Sequence, residues 1–233
     1  MNGEFEVISL TPLRKAIAAR MTEAKQTIPH YRLTIQVEFD ALWSLRRELQ
    51  AQAPDCQVTL NDLLIKACAT ALMDVPAVNV QWAGSEIHRY RAADIAVVTA
   101  VDGGLLTPVI RGADTKSIWD IAQVARDLSA RAARNALKLH EITGGSFSIS
   151  NLGMYGVDQF DAVINAPQCG ILAIGAAKPQ LLAGAGGQAR VAGVAHMTLS
   201  VDHRAIDGVA GAKFLEALKR RVEHPQEAVL GRP

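Results

Sequence analysis

The sequence predicts an α/β fold, a single domain in which a mixed β-sheet is packed by helices. Segments with helical periodicity and segments with strand alternation follow one another through the 233 residues, without a repeat, a linker or a low-complexity stretch. Hydrophobic residues make up 49% of the chain, which is enough to fill the core of one such domain. We therefore expect one domain over residues 1–233, with residues 1–9 as an N-terminal arm or a remnant of cloning.

The helices are predicted from apolar residues at helical spacing and from residues that favour helix starts. Thr11 followed by Pro12 is typical of an N-cap and a first turn, and Asp40 is expected to cap the next helix. The segment over residues 61–73 is apolar on nearly all sides, so this third helix should be buried. Further helices are predicted over residues 117–136 and 208–222.

The strands are predicted from alternating polar and apolar residues. In residues 31–39, Leu33, Ile35 and Val37 alternate with polar residues, which is typical of a half-buried strand. Residues 102–104, Asp-Gly-Gly, favour a hairpin turn between the two strands that flank them. The other strands are predicted over residues 78–82, 86–90, 95–100, 105–110, 146–150, 169–176 and 191–201.

Composition and charge exclude several classes of function. The 24 Lys and Arg residues nearly balance the 23 Asp and Glu residues, whereas nucleic-acid-binding proteins usually carry a basic surface. No apolar run approaches the roughly 20 residues that cross a bilayer, and the start of the chain is unlike a signal peptide. Three cysteines without a Cys-x-x-Cys pair fit neither a disulfide framework nor a zinc site. We expect no nucleic acid, no membrane, and a reducing location such as the bacterial cytoplasm or the mitochondrial matrix.

The strongest local signal is the sequence Asp-His-Arg-Ala-Ile-Asp-Gly at residues 202–208, where the last long strand ends and the last helix begins. An imidazole there can face a cleft and take a proton from a thiol or a hydroxyl. The carboxylates of Asp202 and Asp207 can orient neighbouring groups. The plain alternative is a surface histidine in a polar turn, and a metal site on His203 and Asp207 would lack a third ligand. The combination of residue types at this junction favours a functional His203.

A second signal lies in residues 144–153, Gly-Gly-Ser-Phe-Ser-Ile-Ser-Asn-Leu-Gly. Alternation places Ser146, Ser148 and Ser150 on one face of a strand and two apolar residues on the other. A row of hydroxyls that ends in Asn-Leu-Gly can place a hydrogen-bond donor at the edge of a site. Taken alone, however, the segment is better interpreted as an ordinary amphipathic strand.

Together these segments resemble the catalytic domain of dihydrolipoamide acyltransferases, the core components of 2-oxo acid dehydrogenase complexes. The resemblance extends from about Leu10 to Leu230. Its matching stretches are residues 14–21, 25–31, 61–62, 104–111, 150–153 and 165–168. The Asp-His-Arg-x-x-Asp-Gly signature is specific to this family, because the related chloramphenicol acetyltransferases and condensation domains share only His-x-x-x-Asp-Gly. The resemblance implies a two-layer sandwich of the chloramphenicol acetyltransferase type.

The resemblance also implies roles for individual residues. His203 would be the general base that deprotonates the attacking thiol, and Ser150 would donate a hydrogen bond to the oxyanion of the tetrahedral intermediate. Asp207 would hold the catalytic loop through an arginine, for which Arg14 is our choice. The coenzyme A end of the site would be lined by Arg46, Thr59, Ser129, Asn151 and Gly175. Neither a metal nor a covalent enzyme intermediate is implied.

Assembly follows from the same resemblance. Family members form trimers with an active-site channel between subunits, so His203 and Ser150 would come from neighbouring chains. Coenzyme A would enter one end and the lipoyl arm the other, and eight or twenty trimers would build a 24-mer or 60-mer core. The expected partners are a lipoyl domain and the decarboxylase and dihydrolipoamide dehydrogenase components. The lipoyl and peripheral-subunit-binding domains are predicted to be absent here, so the lipoyl group would be carried by a separate domain or chain.

Two other hypotheses remain open. The chain could be a coenzyme A-dependent O-acetyltransferase of the same superfamily, in which His203 would serve equally well. It could also be a non-catalytic core scaffold, although the presence of both His203 and Ser150 favours an enzyme. The acyl group is expected to be acetyl, because residues 59–82 look more like acetyl-transferring members than like succinyl or branched-chain ones.

Overall fold

The computed structural model describes residues 4–184 and 187–226. The helices are α1 (Pro12–Thr27), α2 (Asp40–Gln52), α3 (Leu60–Asp74), α4 (Ile118–Ala132), α5 (Leu139–Ile142) and α6 (Gly208–Glu223). The strands are β1 (His30–Glu38), β2 (Val80–Trp82), β3 (Ile87–Arg89), β4 (Ile95–Val97), β5 (Thr99–Val101), β6 (Gly104–Leu106), β7 (Val109–Ile110), β8 (Phe147–Asn151), β9 (Gly170–Ile174), β10 (Lys178–Ala183) and β11 (Ala189–Asp202).

A seven-stranded sheet forms the centre of the molecule, in the order β1-β11-β9-β8-β4-β7, with β10 pairing to part of β11. β8 runs parallel to β4 and β9, whereas the other pairs in this sheet are antiparallel. Two separate hairpins, β2-β3 and β5-β6, lie beside it. The prediction of an α/β fold with a mixed sheet packed by helices is confirmed.

One face of the sheet carries the main hydrophobic core. Inward residues of β1, β8, β9 and β11 pack there against α2, α3, α4 and α6, and these residues belong to one continuous buried cluster. α3 is buried on nearly every side, as predicted, and it begins with a capping box in which Thr59 and Asp62 satisfy each other's backbone N–H groups. This packing fixes the end of β11, from which the chain turns into α6.

The opposite face of the sheet is more polar and is covered by less structure. A small second cluster packs there between the end of α1 and the segment before β9, and it contains Ala24, Ile28, Ala162, Ile164, Ile171 and Ala173. Beside it, Arg32 pairs with Asp161 at 3.1 Å, and the hydroxyls of Thr34 and Thr198 share a hydrogen bond. This face of the sheet therefore has a small apolar cluster under α1 and, beside it, a row of polar side chains.

The predicted hairpin around residues 102–104 is confirmed, but its strands are interrupted. β4 and β7 pair within the central sheet, whereas β5 and β6 form a separate ladder that ends at the turn. Pro108 lies in the gap and has no N–H to donate, although its carbonyl still accepts from Val97 N. The interruption therefore lets the tip of the hairpin leave the plane of the sheet.

Two further predictions need correction, and one strand was not predicted. Asp40 is the first residue of α2 rather than its cap, because its carboxylate accepts from Gly193 N at 3.1 Å. The predicted helix over 117–136 ends at Ala132, and Asn135 adopts a positive φ of 52° just beyond it. The short strand β10 was not predicted, since Pro179 lies within it.

The sequence also predicted an N-terminal arm and no membrane-spanning segment. Residues 4–11 precede α1 without regular structure, and Phe5, Val7 and Ile8 are exposed there. Among the helices of the described ranges, none has both the length and the apolar character that a bilayer span requires.

Candidate active site

His203 lies on the loop that joins β11 to α6. Its backbone N–H donates to Pro29 O at 3.1 Å, and its ring packs edge-on against Tyr31, with 4.7 Å between ring centroids and 60° between planes. The side chain is exposed, and no hydrogen bond reaches the ring from the described residues of the chain. The imidazole is therefore held in position by backbone and by one aromatic contact, and both ring nitrogens remain available to a reactant.

Among the described residues, neither neighbour of His203 in the sequence forms a hydrogen bond or an ion pair with its ring. Asp202 is buried and its carboxylate binds the guanidinium of Arg204, with 2.7 Å between Nη2 and Oδ2. Arg204 also lies over the ring of Trp82, at 5.1 Å from the centroid. The suggestion that carboxylates here orient neighbouring groups therefore holds for Asp202 through Arg204, and not through a direct bond to the imidazole.

Asp207 is the N-cap of α6, and its Oδ1 accepts from Ala210 N at 2.7 Å. Within the described part of one chain it forms no ion pair with Arg14. Arg14 lies in the first turn of α1, where the neighbouring Leu13 packs close to Gly104 of β6. Within one chain the Asp207 carboxylate caps α6 through Oδ1 and the pairing with Arg14 is not made, so that pairing stays a prediction.

Ser150 lies on β8 and is 8% exposed. The predicted alternation is confirmed, with Phe147 and Ile149 in the main core. The other two hydroxyls of the row have protein partners: Ser146 Oγ accepts from Asp94 N at 3.1 Å, and Ser148 donates to Gln168. Among described residues, the Ser150 hydroxyl has no hydrogen-bond partner. It is therefore the member of the row that can bind a ligand.

Ser150 opens into a cavity of about 340 Å³. Ser129 and Asn151, both predicted from the resemblance, also line it, whereas Arg46, Thr59 and Gly175 do not. The wall is otherwise largely apolar, formed by Val97, Val98, Leu105, Pro108, Ile110, Leu128, Met154 and Tyr155 among others. Such a cavity, apolar with a few convergent polar groups, is typical of a small-molecule site.

The remaining three residues predicted for the coenzyme A end have structural contacts of their own. Arg46 donates from Nε to Val58 O at 3.1 Å, and Thr59 caps α3. At Gly175 a Cβ would lie 2.1 Å from Asp158 O, so only glycine fits there. Burial raises the pKa of Asp62, the partner of Thr59 in the capping box. These contacts account for the residue types at these positions without a ligand.

Asn151 connects the cavity to the turn that follows β8. Its Oδ1 accepts from Gly153 N at 2.9 Å, and its Nδ2 lies 3.4 Å from Asn61 Oδ1. The Asn-Leu-Gly turn predicted from the sequence is thus formed. Asn61, Leu105, Met154 and Tyr155 were not selected as site residues from the sequence, because each is either polar at a helix start or apolar within an ordinary strand or turn pattern.

The register of the sheet separates His203 from Ser150 within one chain. Ser150 is opposite Ala173 of β9, which in turn is opposite Thr198 of β11. His203 follows Thr198 by five residues, which corresponds to roughly 16 Å at about 3.3 Å per residue. The two groups therefore lie toward opposite ends of the strands, too far apart to act on one atom within a single chain.

His30 is a second histidine near the candidate base, on β1 opposite Asp202. Its Nε2 accepts from Ile164 N at 3.1 Å, so the proton of the neutral ring is on Nδ1, which donates to Ile28 O at 2.9 Å. Burial is the main cause that lowers the pKa of His30. This ring is occupied on both nitrogens and has a structural role.

The described ranges contain no group of three or more His, Cys, Asp or Glu residues arranged to hold a metal ion. Burial raises the pKa of the Cys169 thiol to about 12, with a smaller contribution from Asp202. The thiol of Cys68 is likewise shifted upward by burial. Neither buried cysteine is placed to act as a thiolate.

A mixed sheet with a histidine loop between its longest strand and a capped helix defines an α/β domain of the chloramphenicol acetyltransferase type. A solved chloramphenicol acetyltransferase matches with a TM-score of 0.55 over 88% of this chain and 94% of that chain, at 14% identity. This likeness shows the fold alone. The chain belongs to the family described as 2-oxoacid dehydrogenases acyltransferase (catalytic domain), which matches residues 2–230. The resemblance found in the sequence is thereby confirmed.

Curated relatives support the same family. The chain is 41% identical over 229 residues to a Rhizobium meliloti protein named dihydrolipoyllysine-residue acetyltransferase component of pyruvate dehydrogenase complex, covering 96% of this chain and 51% of the relative. It is 45% identical over 222 residues to the Zymomonas mobilis protein of that name, covering 94% of this chain and 50% of the relative. The chain thus spans about half the length of these relatives.

Solved structures give closer geometric matches than chloramphenicol acetyltransferase. A structure of the Azotobacter vinelandii dihydrolipoamide acetyltransferase matches with a TM-score of 0.93 at 30% identity, covering 99% of this chain and 96% of that chain. A structure of the cubic core of the pyruvate dehydrogenase multienzyme complex also matches with a TM-score of 0.93, at 29% identity and with coverage of 99% and 96%.

Proposed function

We propose that this chain transfers an acyl group, namely acetyl, between dihydrolipoamide and coenzyme A, as a core component of a 2-oxo acid dehydrogenase complex. The observation that carries the proposal is the exposed, unbonded imidazole of His203 on a loop that is fixed at both ends. Family membership supplies the substrate class, because the similar curated proteins are named for this transfer in the pyruvate dehydrogenase complex.

His203 acts as the general base in the proposed reaction. A free thiol has a pKa of about 8.5, so at pH 7 only a small fraction is thiolate. His203 takes the thiol proton as the sulfur forms a bond to the thioester carbonyl. The tetrahedral intermediate then breaks its bond to the leaving sulfur, which receives the same proton from the imidazolium. One thioester replaces another, so no acyl-enzyme and no metal are required.

Ser150 stabilises the oxyanion of that intermediate. Its hydroxyl has no other partner among the described residues and opens into the apolar cavity, where a hydrogen bond is worth more than it is in water. The register of the sheet excludes a site built by Ser150 and His203 of one chain. We therefore propose that His203 of one chain and Ser150 of a neighbour meet at an interface in a homotrimer.

The coenzyme A end of the channel is assigned to the surface around Ser150. Ser129 and Asn151 line the cavity and would contact coenzyme A directly. Arg46, Thr59 and Gly175 would act from outside it, through the start of α3 and the end of β9. The lipoyl group would arrive at the other end on a separate domain or chain.

Larger assembly and partners are proposed from the family. A cubic-core structure matches nearly the whole chain, which supports a trimer that builds a 24-mer, and a 60-mer is the alternative. The partners would be the decarboxylase and dihydrolipoamide dehydrogenase components together with a lipoyl domain. The location would be the bacterial cytoplasm or the mitochondrial matrix.

The test is acetyl transfer from acetyl-CoA to dihydrolipoamide by the purified chain. His203→Ala should lower kcat by about 10²–10⁴-fold, while the mass of the assembly in solution stays the same. His88→Ala, at an exposed position on β3, is the matched control and should keep full activity. Transfer to an alcohol alone would favour the O-acetyltransferase, and a wild type without transfer would favour the scaffold.

A further inference from the structure

The residues that flank His203 in the sequence are bonded to each other. Arg204 donates to the carboxylate of Asp202 from its backbone N at 3.0 Å, from Nε at 3.0 and 3.2 Å, and from Nη2 at 2.7 Å. A planar guanidinium that binds both carboxylate oxygens is held in one orientation. The side chains at positions 202 and 204 thus close a small loop around the backbone of His203.

This pair is anchored at both ends. The Asp202 side chain is 2% exposed, and its backbone N–H donates to Cys169 O at 2.9 Å. On the outer side, the guanidinium of Arg204 lies over the ring of Trp82 on β2, which adds a cation–π contact. The backbone of β2 is in turn bonded to the start of β9, since Cys169 N donates to Val80 O. We refer to Asp202, Arg204 and Trp82 as the Asp202 cluster.

The His203 ring has no comparable support of its own. Its position follows from the backbone N–H bond to Pro29 O and from the edge contact with Tyr31. The turn that follows is closed by the N–H groups of Ala205 and Ile206, which both donate to Asp202 O. Asp202 therefore fixes the loop through its carbonyl as well as its carboxylate.

We propose that the Asp202 cluster is a positioning device that sets where the His203 imidazole points, so that Arg204 and Trp82 affect turnover through the orientation of that ring. The inference rests on the proposed function of His203. Without the guanidinium, a buried carboxylate would lose its partner, and the turn would shift to hydrate it. A shift of this kind moves the base relative to the thiol.

The main test compares Arg204→Met with a matched ion pair elsewhere. Arg221 of α6 binds Asp74 of α3 through Nε and Nη2, and its side chain is 10% exposed. We expect Arg204→Met to lower kcat by about 10- to 100-fold with little change in either KM, because a displacement of about 1 Å at a reacting group costs on this order. Arg221→Met should reduce thermal stability and leave kcat unchanged.

Further variants separate positioning from stability. Trp82→Phe keeps an aromatic face for the guanidinium and should retain most of the turnover, whereas Trp82→Leu should lose part of it. The double variant Asp202→Asn with Arg204→Met removes the unpaired buried charge, so it should recover thermal stability but remain slow. If its turnover recovers together with stability, the cluster is structural only and the proposal is wrong.

A crystal structure of Arg204→Met provides a readout that does not depend on activity. The His203 ring should be displaced or have two orientations, while the core around Asp74 stays in place. An unmoved ring would overturn the inference even if acyl transfer is confirmed. Conversely, a moved ring in a protein whose wild type transfers no acetyl would leave the positioning role intact and refute the proposed function.

Discussion

His203 and Ser150 both lie at the ends of central strands, yet the chain presents them in opposite ways. His203 is exposed, on a loop bonded to Pro29 and Asp202, and lies outside the apolar cavity. Ser150 is nearly buried on a strand whose neighbours fix it from both sides, and its hydroxyl faces the cavity. The difference teaches that one chain places its candidate base and its candidate oxyanion donor beside separate cavities, because Asp202 and Arg204, which flank His203, line a second cavity of about 350 Å³.

After the loss expected for His203→Ala, the largest expected effect is that of replacing Ser150. Ser150→Ala should lower kcat by about 10²–10³-fold, because one oxyanion donor is lost. If the site forms between chains, trimers reassembled from a mixture of His203→Ala and Ser150→Ala chains contain some interfaces with both groups intact. Such mixtures should regain measurable acetyl transfer, which coupled assays of thioester formation can follow.

The control for the mixed trimers is a trimer reassembled from one variant alone. Each such trimer should keep the low rate of that variant. If the mixture is no more active than the two variants alone, His203 and Ser150 do not act across an interface. The separation of roughly 16 Å along the strands would then require another group to stabilise the oxyanion near His203.

A second comparison lies within β8, between Ser150 and Ser148. Ser148 is fully buried and donates to Gln168, whereas Ser150 has no partner among the described residues. Ser148→Ala leaves Gln168 unsatisfied in the core and should cost about 1–3 kcal/mol of unfolding free energy. Ser150→Ala should cost little stability. Chemical denaturation of both variants checks this, and equal stability losses would contradict the distinction.

The sequence predicted the His203 loop better than it predicted the cavity. The motif at 202–208 is local, so strand end, turn and helix cap could be inferred from adjacent residues. The cavity is formed by residues such as Leu105, Leu128 and Tyr155, which come from separate elements and have ordinary local patterns. Their proximity depends on strand order, which periodicity does not specify.

Because local sequence does not specify which distant residues meet, it also led to errors in the fold. Most helix and strand positions followed from periodicity, because their apolar faces meet one continuous core. Asp40 was assigned as a cap from its residue type, but Gly193, distant in sequence, takes its carboxylate. The pairing of Arg14 with Asp207 came from the resemblance and stays a prediction, since a single chain shows only the bond of Asp207 to the backbone of its own helix. The partner of Asp40 thus depends on which strand the folded chain brings beside it, and local sequence does not specify that strand.

Asp207 gives the third prediction, since it separates helix capping from the chemistry of the neighbouring base. Asp207→Asn keeps an oxygen that can accept from Ala210 N and should retain stability, whereas Asp207→Ala should lose about 1 kcal/mol. If the negative charge of Asp207 also affects His203, the Asp207→Asn variant will have a lower kcat although it is as stable as the wild type. Thermal denaturation and kcat measured on the same samples distinguish the two roles.

The smallest expected effect concerns His30, which contrasts with His203 because both its nitrogens are bonded. The ordinary pKa of 6.5 is lowered in the folded chain, mainly by burial, and protonation would break the bond that Nε2 accepts from Ile164 N. Below pH 6.5 the unfolded chain therefore binds the proton first. The stabilisation is fully present above that pH and is lost as the pH falls toward the folded pKa.

Urea denaturation between pH 7.5 and 5 should thus show a loss of unfolding free energy that His30→Asn reduces. His140→Asn, at an exposed position on α5, is the control and should follow the wild type. If the wild type and His30→Asn show the same pH dependence, the pKa of His30 does not differ between the folded and the unfolded chain, and the bonds of the ring do not oppose its protonation.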